Sequence, residues 1–495
     1  MIKFFKKYHK WLGVIAPLFL LFFSVSGIVL NHRSLFSGID IDRNIMPDED
    51  HIENWNNAAV KGSVKLSDNK ILLYGNIGIW LTDSTFTKFT DFNTGFPKGI
   101  DNRKICKVFI TKNNNIFAGT LLGFYKLENA KWQKIVLPNN IEHIVDITEV
   151  DNKLILLSRS YLLETSDYKN YDVKILPKPK GYDNKIGLFK TLWVIHSGEI
   201  WGNIGILIVD LIGLIFIFLS ISGIIHFIKP FINKKKTERK SKFFKLNLKW
   251  HNKIGWTTIV FLIITTSTGM FLRPPLLIPV IEKKVGKIPF TELDTENAWF
   301  DNLRRIVYDK NSEQFIIATI EGIYSSDKDL KTITQFTNQP PLSMMGVNVF
   351  EQISKDTLLV GSFNGLYKWN FKTQEFYNPI PVKARIKKGR GNPADFLSDN
   401  VVTGYSKHFA GSNIIFDMNV GVVKFNGERI NIKMPTELKN LPMSLWNVAL
   451  EVHTARIYKP ILGAAYMLVV PLISLITLFI LISGFIVWYK RFRNV

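Results

Sequence analysis

His9-Lys10-Trp11-Leu12-Gly13-Val14-Ile15-Ala16-Pro17-Leu18-Phe19-Leu20-Leu21-Phe22-Phe23-Ser24-Val25-Ser26-Gly27 is a boundary histidine, a long apolar run and a small-residue pair. The same order returns at Trp250-His251-Asn252-Lys253-Ile254-Gly255, whose apolar run reaches Thr268-Gly269. Each run is followed, after a long polar segment, by a second one. Leu192-Trp193-Val194-Ile195-His196 leads to Ser222-Gly223, and Leu445-Trp446 and His453 lead to Ser483-Gly484. A membrane hairpin is thus written twice. Histidine is costly in a bilayer, so histidines repeated in register near helix ends mark a functional site.

Four stretches reach the roughly 20 apolar residues that a hydrocarbon core of about 30 Å requires. They run from about Trp11 to Leu30, Asn203 to Ile228, Ile254 to Leu272 and Ile461 to Trp488. The first is long for the apolar part of a signal peptide, and Asn31-His32-Arg33 is a poor cleavage site, so a retained helix is expected. The formal charge of +22 does not point to nucleic acid. Seventeen Lys and Arg against the single acid Glu238 lie in Met1 to Lys10, Lys229 to Lys253 and Tyr489 to Val495, beside helix ends. This is the positive-inside pattern, which puts both termini and the middle loop in the cytoplasm.

The expected organisation is a first helix over 1–32, an outer segment over 33–190 and a second helix over 191–230. A basic loop over 231–250, a third helix over 251–273, a second outer segment over 274–444 and a fourth helix over 445–495 complete it. The outer segments read as β-structure. A strand, a Gly-apolar-aromatic turn and a second strand recur at Ile71 to Trp80, Ile116 to Tyr125, Phe315 to Tyr324 and Leu358 to Tyr367. Weaker copies lie at Leu154 to Leu163 and Asn413 to Val423, a spacing of about 40 residues that suits propeller blades. Three units in each segment cannot close a ring alone, but six can. The expected fold is therefore α+β: a four-helix transmembrane bundle from two repeated hairpins, with β-propeller-like extracytoplasmic segments.

The stretches His9 to Gly13, Ser26 to His32, His196-Ser197-Gly198 and Asp210 followed by Ser222-Gly223 resemble the PepSY-associated transmembrane family. The second half resembles it again at His251, Thr268-Gly269, His453-Thr454 and Ser483-Gly484. That resemblance implies a haem protein of the bacterial inner membrane that reduces ferric siderophores in the periplasm. The β-repeats occupy the outer segments where a PepSY domain would otherwise be sought.

The residues lead to haem independently. A haem iron takes two axial ligands from opposite faces, and neutral imidazoles on facing helices can supply them. Under the inferred topology His9, His226 and His251 fall at the cytoplasmic ends, and His32, His196 and His453 at the outer ends. The twofold that relates the repeats pairs His9 with His251 and His196 with His453. His32 and His226 have no counterparts in the second half, where Arg273 and Trp488 stand, and are alternative ligands or propionate partners. Asp210, deep in the second run, suits a hydrogen bond to a neighbouring helix, at Thr265 or Thr266, or a proton-linked role. The dense basic stretch Lys383 to Gly391 reads as a solvated loop, and Cys106 as a buried apolar residue.

No nucleotide-binding fingerprint or nucleophile arrangement is visible, and no His-Glu-x-x-His or cysteine pattern points to zinc. The expected function is electron transfer through two haems b, from quinol or a separate reductase, to a ferric siderophore or other periplasmic acceptor. The alternative expectation is a membrane-anchored propeller sensor, or a partner-binding or assembly protein, without redox chemistry.

Overall fold

The computed structural model describes residues 2–55, 59–67, 69–232, 238–343, 346–380, 401–410 and 412–492. The stretch Lys383 to Gly391 lies outside the described residues. The chain divides into two compact units, one of Met1–Phe36, Asn184–Asp294 and Leu445–Val495, the other of Ser37–Asp183 and Thr295–Ser444.

The first unit is helical. Its main elements are α1 (Ile2–Asn31), α2 (Leu188–Ser197), α3 (Gly202–Ile232), α4 (Glu238–Thr257), α5 (Ile259–Phe271), α6 (Leu445–His453) and α7 (Val469–Phe492). Among the described residues three stretches, Ile2–Asn31, Glu199–Lys229 and Arg456–Lys490, are long and apolar enough to cross a membrane. A fourth crossing is reached if the bent pair α4 and α5 counts as one span.

The run from Ile254 to Leu272 is therefore not one straight helix, as its hydropathy suggests. It bends by 66° between Thr257 and Ile259. The Oγ1 of Thr257 bonds back to the carbonyls of Lys253 and Ile254 (2.8 and 3.1 Å), and that of Thr258 to Ile254 (2.8 Å). Such back-bonding competes with the helix ladder and bends it. A second departure concerns His196 and His453. Neither stands on the spanning helix that follows it, because Gly198 (φ +85°) and Ala455 (φ +60°) break the chain in left-handed conformations just beyond them. Both histidines close short helices of their own, α2 and α6.

The spans invert the soluble pattern. Leu18, Phe22, Val25, Leu207, Leu211 and Leu214 are exposed, whereas Ser26, Ser222, Thr268, Thr477 and Ser483 are buried. Lipid tails solvate the former, and small polar residues inside allow helices to approach. Helix α1 packs on α3, α6 and α7; α5 packs on α2 and α7; α4 packs on α3 and α7.

Among the described residues the second unit holds six four-stranded antiparallel sheets, spanning 60–91, 105–135, 144–174, 303–335, 347–377 and 402–430. All six sequence repeats fall on the second and third strands of these sheets. Glycines 78, 322 and 365 hold φ of +85°, +148° and +114° at the turn, where a side chain would be strained. The first strand of each sheet packs on the first strand of the next, and the sixth returns to the first. Each neighbouring pair shares its own apolar layer, for example Leu72, Ile105 and Tyr125 between the first two sheets, and Ile71 and Phe416 between the last and the first.

At the inner edge Arg305, 6% exposed, ties these strands together. Its Nε donates to the Val347 carbonyl (3.0 Å), Nη2 to Asn348 (3.1 Å), and Nη1 to Val145 (2.9 Å) and Cys106 (3.3 Å). Lys107 lies beside it, 2.7 Å from Glu351 and 3.9 Å from Asp146. Burial would raise the Glu351 carboxyl, but the charge and hydrogen bond of Lys107, together with Lys407 and Arg305, outweigh this and hold it below its ordinary value.

Candidate functional site

Four histidines of the helical unit are held in one repeated way. His9 of α1 brings Nδ1 to 3.0 Å from the Ile480 carbonyl and 3.2 Å from Ser483 Oγ, both on α7. His453 of α6 brings Nδ1 to 2.9 Å from the Phe23 carbonyl and 3.1 Å from Ser26 Oγ on α1. His196 of α2 meets the Thr265 carbonyl at 3.0 Å and Thr268 Oγ1 at 3.4 Å on α5. His251 of α4 meets Ser222 Oγ at 2.7 Å on α3. Each socket is a Ser or Thr followed by Gly, and each histidine comes from a different helix than its socket.

Carbonyls fix the tautomer at three of the sockets. Those of Ile480, Phe23 and Thr265 can only accept, so Nδ1 of His9, His453 and His196 carries the proton and donates, while the socket hydroxyls also reach carbonyls of their own helices, as Ser222 does Leu219 (3.1 Å) and Ser483 Ile480 (3.0 Å). Nε2 is left with its lone pair, and in these four histidines it has no hydrogen-bond partner among the described residues. An imidazole whose far nitrogen donates to a carbonyl is the arrangement of a metal-ligating histidine.

The glycine of each socket makes room for the ring. A Cβ on Gly269 would stand 2.5 Å from His196 Cε1, and one on Gly484 2.8 Å from His9 Cε1. At Gly27 the clearance to His453 Cε1 is 3.2 Å, and at Gly223 the clearance to His251 Cε1 is 3.7 Å. Their closest approach is to imidazole.

The sockets bring histidines together in two groups. His196 and His453 face one another with ring centres 6.0 Å apart and planes inclined by 51°. His226 and His251 lie 6.4 Å apart at 75°, and His9 is an electrostatic neighbour of His251. The Nε2 of His226 is buried without a hydrogen-bond partner among the described residues. Helix α6 is fixed on the first span by Trp446, whose Nε1 donates to the Leu30 carbonyl (3.0 Å) while Arg33 stacks 3.7 Å over its ring.

His32 does not join the outer pair. Its Nε2 lies 2.5 Å from Asp210 Oδ2, and Asn31 Nδ2 holds the other oxygen at 3.1 Å while also donating to the Ser197 carbonyl (3.2 Å). This corrects the expected partner of Asp210, which pairs with His32 and Asn31 rather than with Thr265 or Thr266, and the pairing occupies His32 Nε2. Arg273, the second-half counterpart of His32, donates to the Thr454 carbonyl (3.2 Å), one residue from His453. Trp488, the counterpart of His226, stacks on Trp256 with ring centres 4.6 Å apart. Among the described residues, no three His, Cys, Asp or Glu side chains converge as a metal site. His51 bonds the Met46 carbonyl (3.0 Å), His408 bonds Ser63 (2.8 Å) and His143 lies 3.8 Å from Cys106 Sγ, all in the sheet unit.

Among solved structures, the chain is similar to the extracellular domain of a protein from B. thetaiotaomicron described as a hybrid two-component system, at 10% identity and a TM-score of 0.36. A second structure, described as the extracellular domain of a one-component system from that organism, gives 11% and 0.35. The alignments cover 73% of this chain but 32% and 37% of those proteins. No curated protein matches. The sequence profile of the family described as the PepSY-associated TM region matches residues 159–491, which contain three of the four sockets and three of the four socketed histidines. The chain is a membrane protein and belongs to the PepSY-associated TM region family.

Proposed function

We propose that this chain is a dihaem b-type oxidoreductase of a bacterial inner membrane. It passes electrons from quinol or a separate reductase to a periplasmic acceptor, a ferric siderophore or similar iron complex. The observation that carries the reading is the facing pair His196 and His453, ring centres 6.0 Å apart, each with Nδ1 engaged. Two imidazoles bound through Nε2 to opposite sides of one metal have ring centres about 6 Å apart, given bonds of about 2 Å and ring radii of about 1.1 Å. The spacing, the tautomer and the clearance at the socket glycines all fit haem.

His196 and His453 would hold one haem, and His251 with His9 or His226 the other. Haem, when bound, supplies a one-electron carrier with a potential set by its surroundings. The chain's own contribution is to fix each imidazole before binding. Carbonyls of Thr265, Phe23 and Ile480 accept from Nδ1–H and strengthen Nε2 as a donor, whereas His251 has only a hydroxyl acceptor. The ferric complex is favoured as acceptor because reduction softens and discharges the iron, which weakens hard oxygen ligation. The helices read as a four-span bundle and the ring-wise succession of six sheets as a six-bladed propeller. A propeller that only binds a partner leaves four matched histidine sockets without purpose.

The test is purification after expression with haem supplementation, followed by a pyridine haemochrome assay. About two haems b per chain are expected, reducible by dithionite with a b-type α band. A colourless protein would overturn the proposal.

A further inference from the structure

Helix α4 lies across the ends of two spans. Near its start Phe244 sits beside His226 of α3, ring centres 6.5 Å apart, with the Lys229 ammonium 5.3 Å over the Phe244 ring. Near its finish Trp256 stacks on Trp488 of α7 at 4.6 Å. His226 and Trp488 stand close to Lys229 and Lys490, where the apolar stretches Glu199–Lys229 and Arg456–Lys490 finish. The helix from Phe244 to Trp256, about 18 Å at 1.5 Å per residue, thus joins two span ends on one side of the bundle. The 66° bend that follows lets α5 leave that level to pack on α2 and α7.

The sequence gives α4 three faces. Asn247 and His251 turn to the bundle, where Asn247 Nδ2 donates to the Ser222 carbonyl (3.2 Å) and His251 meets Ser222 Oγ. Lys242, Lys245, Lys249 and Lys253 recur at helical spacing as a stripe of exposed cations. Phe243, Leu246 and Trp250 form a second exposed stripe (54, 55 and 45%). The two stripes adjoin, and Lys253 Nζ lies 5.3 Å over the Trp250 ring. No acid stands between Lys242 and Thr257. In an upright helix Lys242 and Lys253 would differ in depth by about 16 Å, half the hydrocarbon core. Lying across the span ends, the helix keeps all four ammonium groups near one level.

We propose that α4 is an interfacial helix whose paired stripes bind an anionic phospholipid of the adjacent leaflet. Phe243, Leu246 and Trp250 enter the acyl boundary, and the lysine stems carry Lys245, Lys249 and Lys253 to the phosphate. A soluble acidic protein would satisfy the lysines but leave the apolar stripe beside them uncovered. A lipid matches both, because its charge and its chain are joined. The site needs only that this unit crosses a membrane, so it stands or falls independently of the haem reading.

The test uses the full-length protein in a neutral detergent, titrated with phosphatidylglycerol or with phosphatidylcholine of the same chains, and native mass spectrometry counts the bound lipid. Phosphatidylglycerol is expected to bind about tenfold or more tightly than phosphatidylcholine. Lys245→Gln, Lys249→Gln and Lys253→Gln combined abolish that preference, whereas arginine at the same three positions keeps it. Lys131→Gln, Lys153→Gln and Lys355→Gln, an equal loss of charge from exposed positions of the sheet unit, also keep it. If the first variant does not fold, Lys249→Gln alone decides, with a loss of about fivefold. Glycerol phosphate, which has the charge without the chain, does not displace the lipid. Equal affinity for the two lipids, a preference that survives loss of the α4 lysines, or displacement by glycerol phosphate would overturn the site.

Discussion

The imidazoles of His196 and His453, one from each half of the chain, stand 6.0 Å apart with their Nδ1 protons turned away from each other into separate helices. Their Nε2 atoms are thereby left to whatever lies between. The sockets that impose this geometry make predictions that differ from one position to the next.

Gly269→Ala places a Cβ 2.5 Å from His196 Cε1, and Gly484→Ala places one 2.8 Å from His9 Cε1. Both lie below real contact distances, so the ring must shift. Haem retention at the affected site is expected to fall about 10- to 100-fold, as for other losses of ligand orientation. Gly223→Ala, with 3.7 Å of clearance, should retain haem as the parent protein does. Haem-to-protein ratios through repeated washing distinguish the three.

Removing the hydroxyls should also act unequally. Ser222→Ala takes away the hydroxyl that His251 Nδ1 meets at 2.7 Å, whereas Thr268→Val leaves His196 the Thr265 carbonyl at 3.0 Å. Ser222→Ala is therefore expected to loosen haem and shift its potential more than Thr268→Val does. Potentiometric titration followed in the α band reads both.

Arg305 donates to carbonyls of Val145, Cys106, Val347 and Asn348. Arg305→Met keeps the apolar stem but strips those acceptors and leaves Asp146 without that cation. A loss on the order of 3–5 kcal/mol is expected by denaturant unfolding of the sheet unit's signal. Lys331→Ala, which breaks an exposed pair with Asp329, should leave that signal unchanged.

His143 predicts an acid limb. Burial, then Arg159, Lys61 and Arg304, hold it near 3 rather than 6.5, so between those values the unfolded chain binds more protons than the folded one. Stability is full above about pH 6.5 and is lost as pH falls, with a slope of up to about 1.4 kcal/mol per pH unit from this group. His143→Asn should flatten that part of the profile, leaving the acid loss that Glu351, also held below its ordinary value, contributes at lower pH. Unfolding midpoints between pH 7 and pH 4 check it.

Legibility in the sequence followed locality. The six sheets were announced by turns such as Gly365-Leu366-Tyr367, because a hairpin is built from neighbours. The histidines were visible from their repetition, but the sockets were not. Ser222 is 29 residues from His251, Thr268 72 from His196, Ser26 427 from His453 and Ser483 474 from His9. No common spacing joins them, and Ser-Gly on a membrane helix also serves packing. His32 with Asp210 was hidden in the same way, at a separation of 178 residues. The bend at Thr257-Thr258 escaped because hydropathy counts the apolar run and not the hydroxyls that unlock its ladder.

In the proposed assignment His196 and His453 hold one haem between them. Electron paramagnetic resonance of the oxidised, haem-loaded protein and of His453→Ala tests it most directly. Two low-spin bis-histidine signals in the parent protein, with one lost or converted to high spin in His453→Ala, is the predicted result. A parent spectrum without low-spin haem, or one that His453→Ala leaves unchanged, would contradict the account.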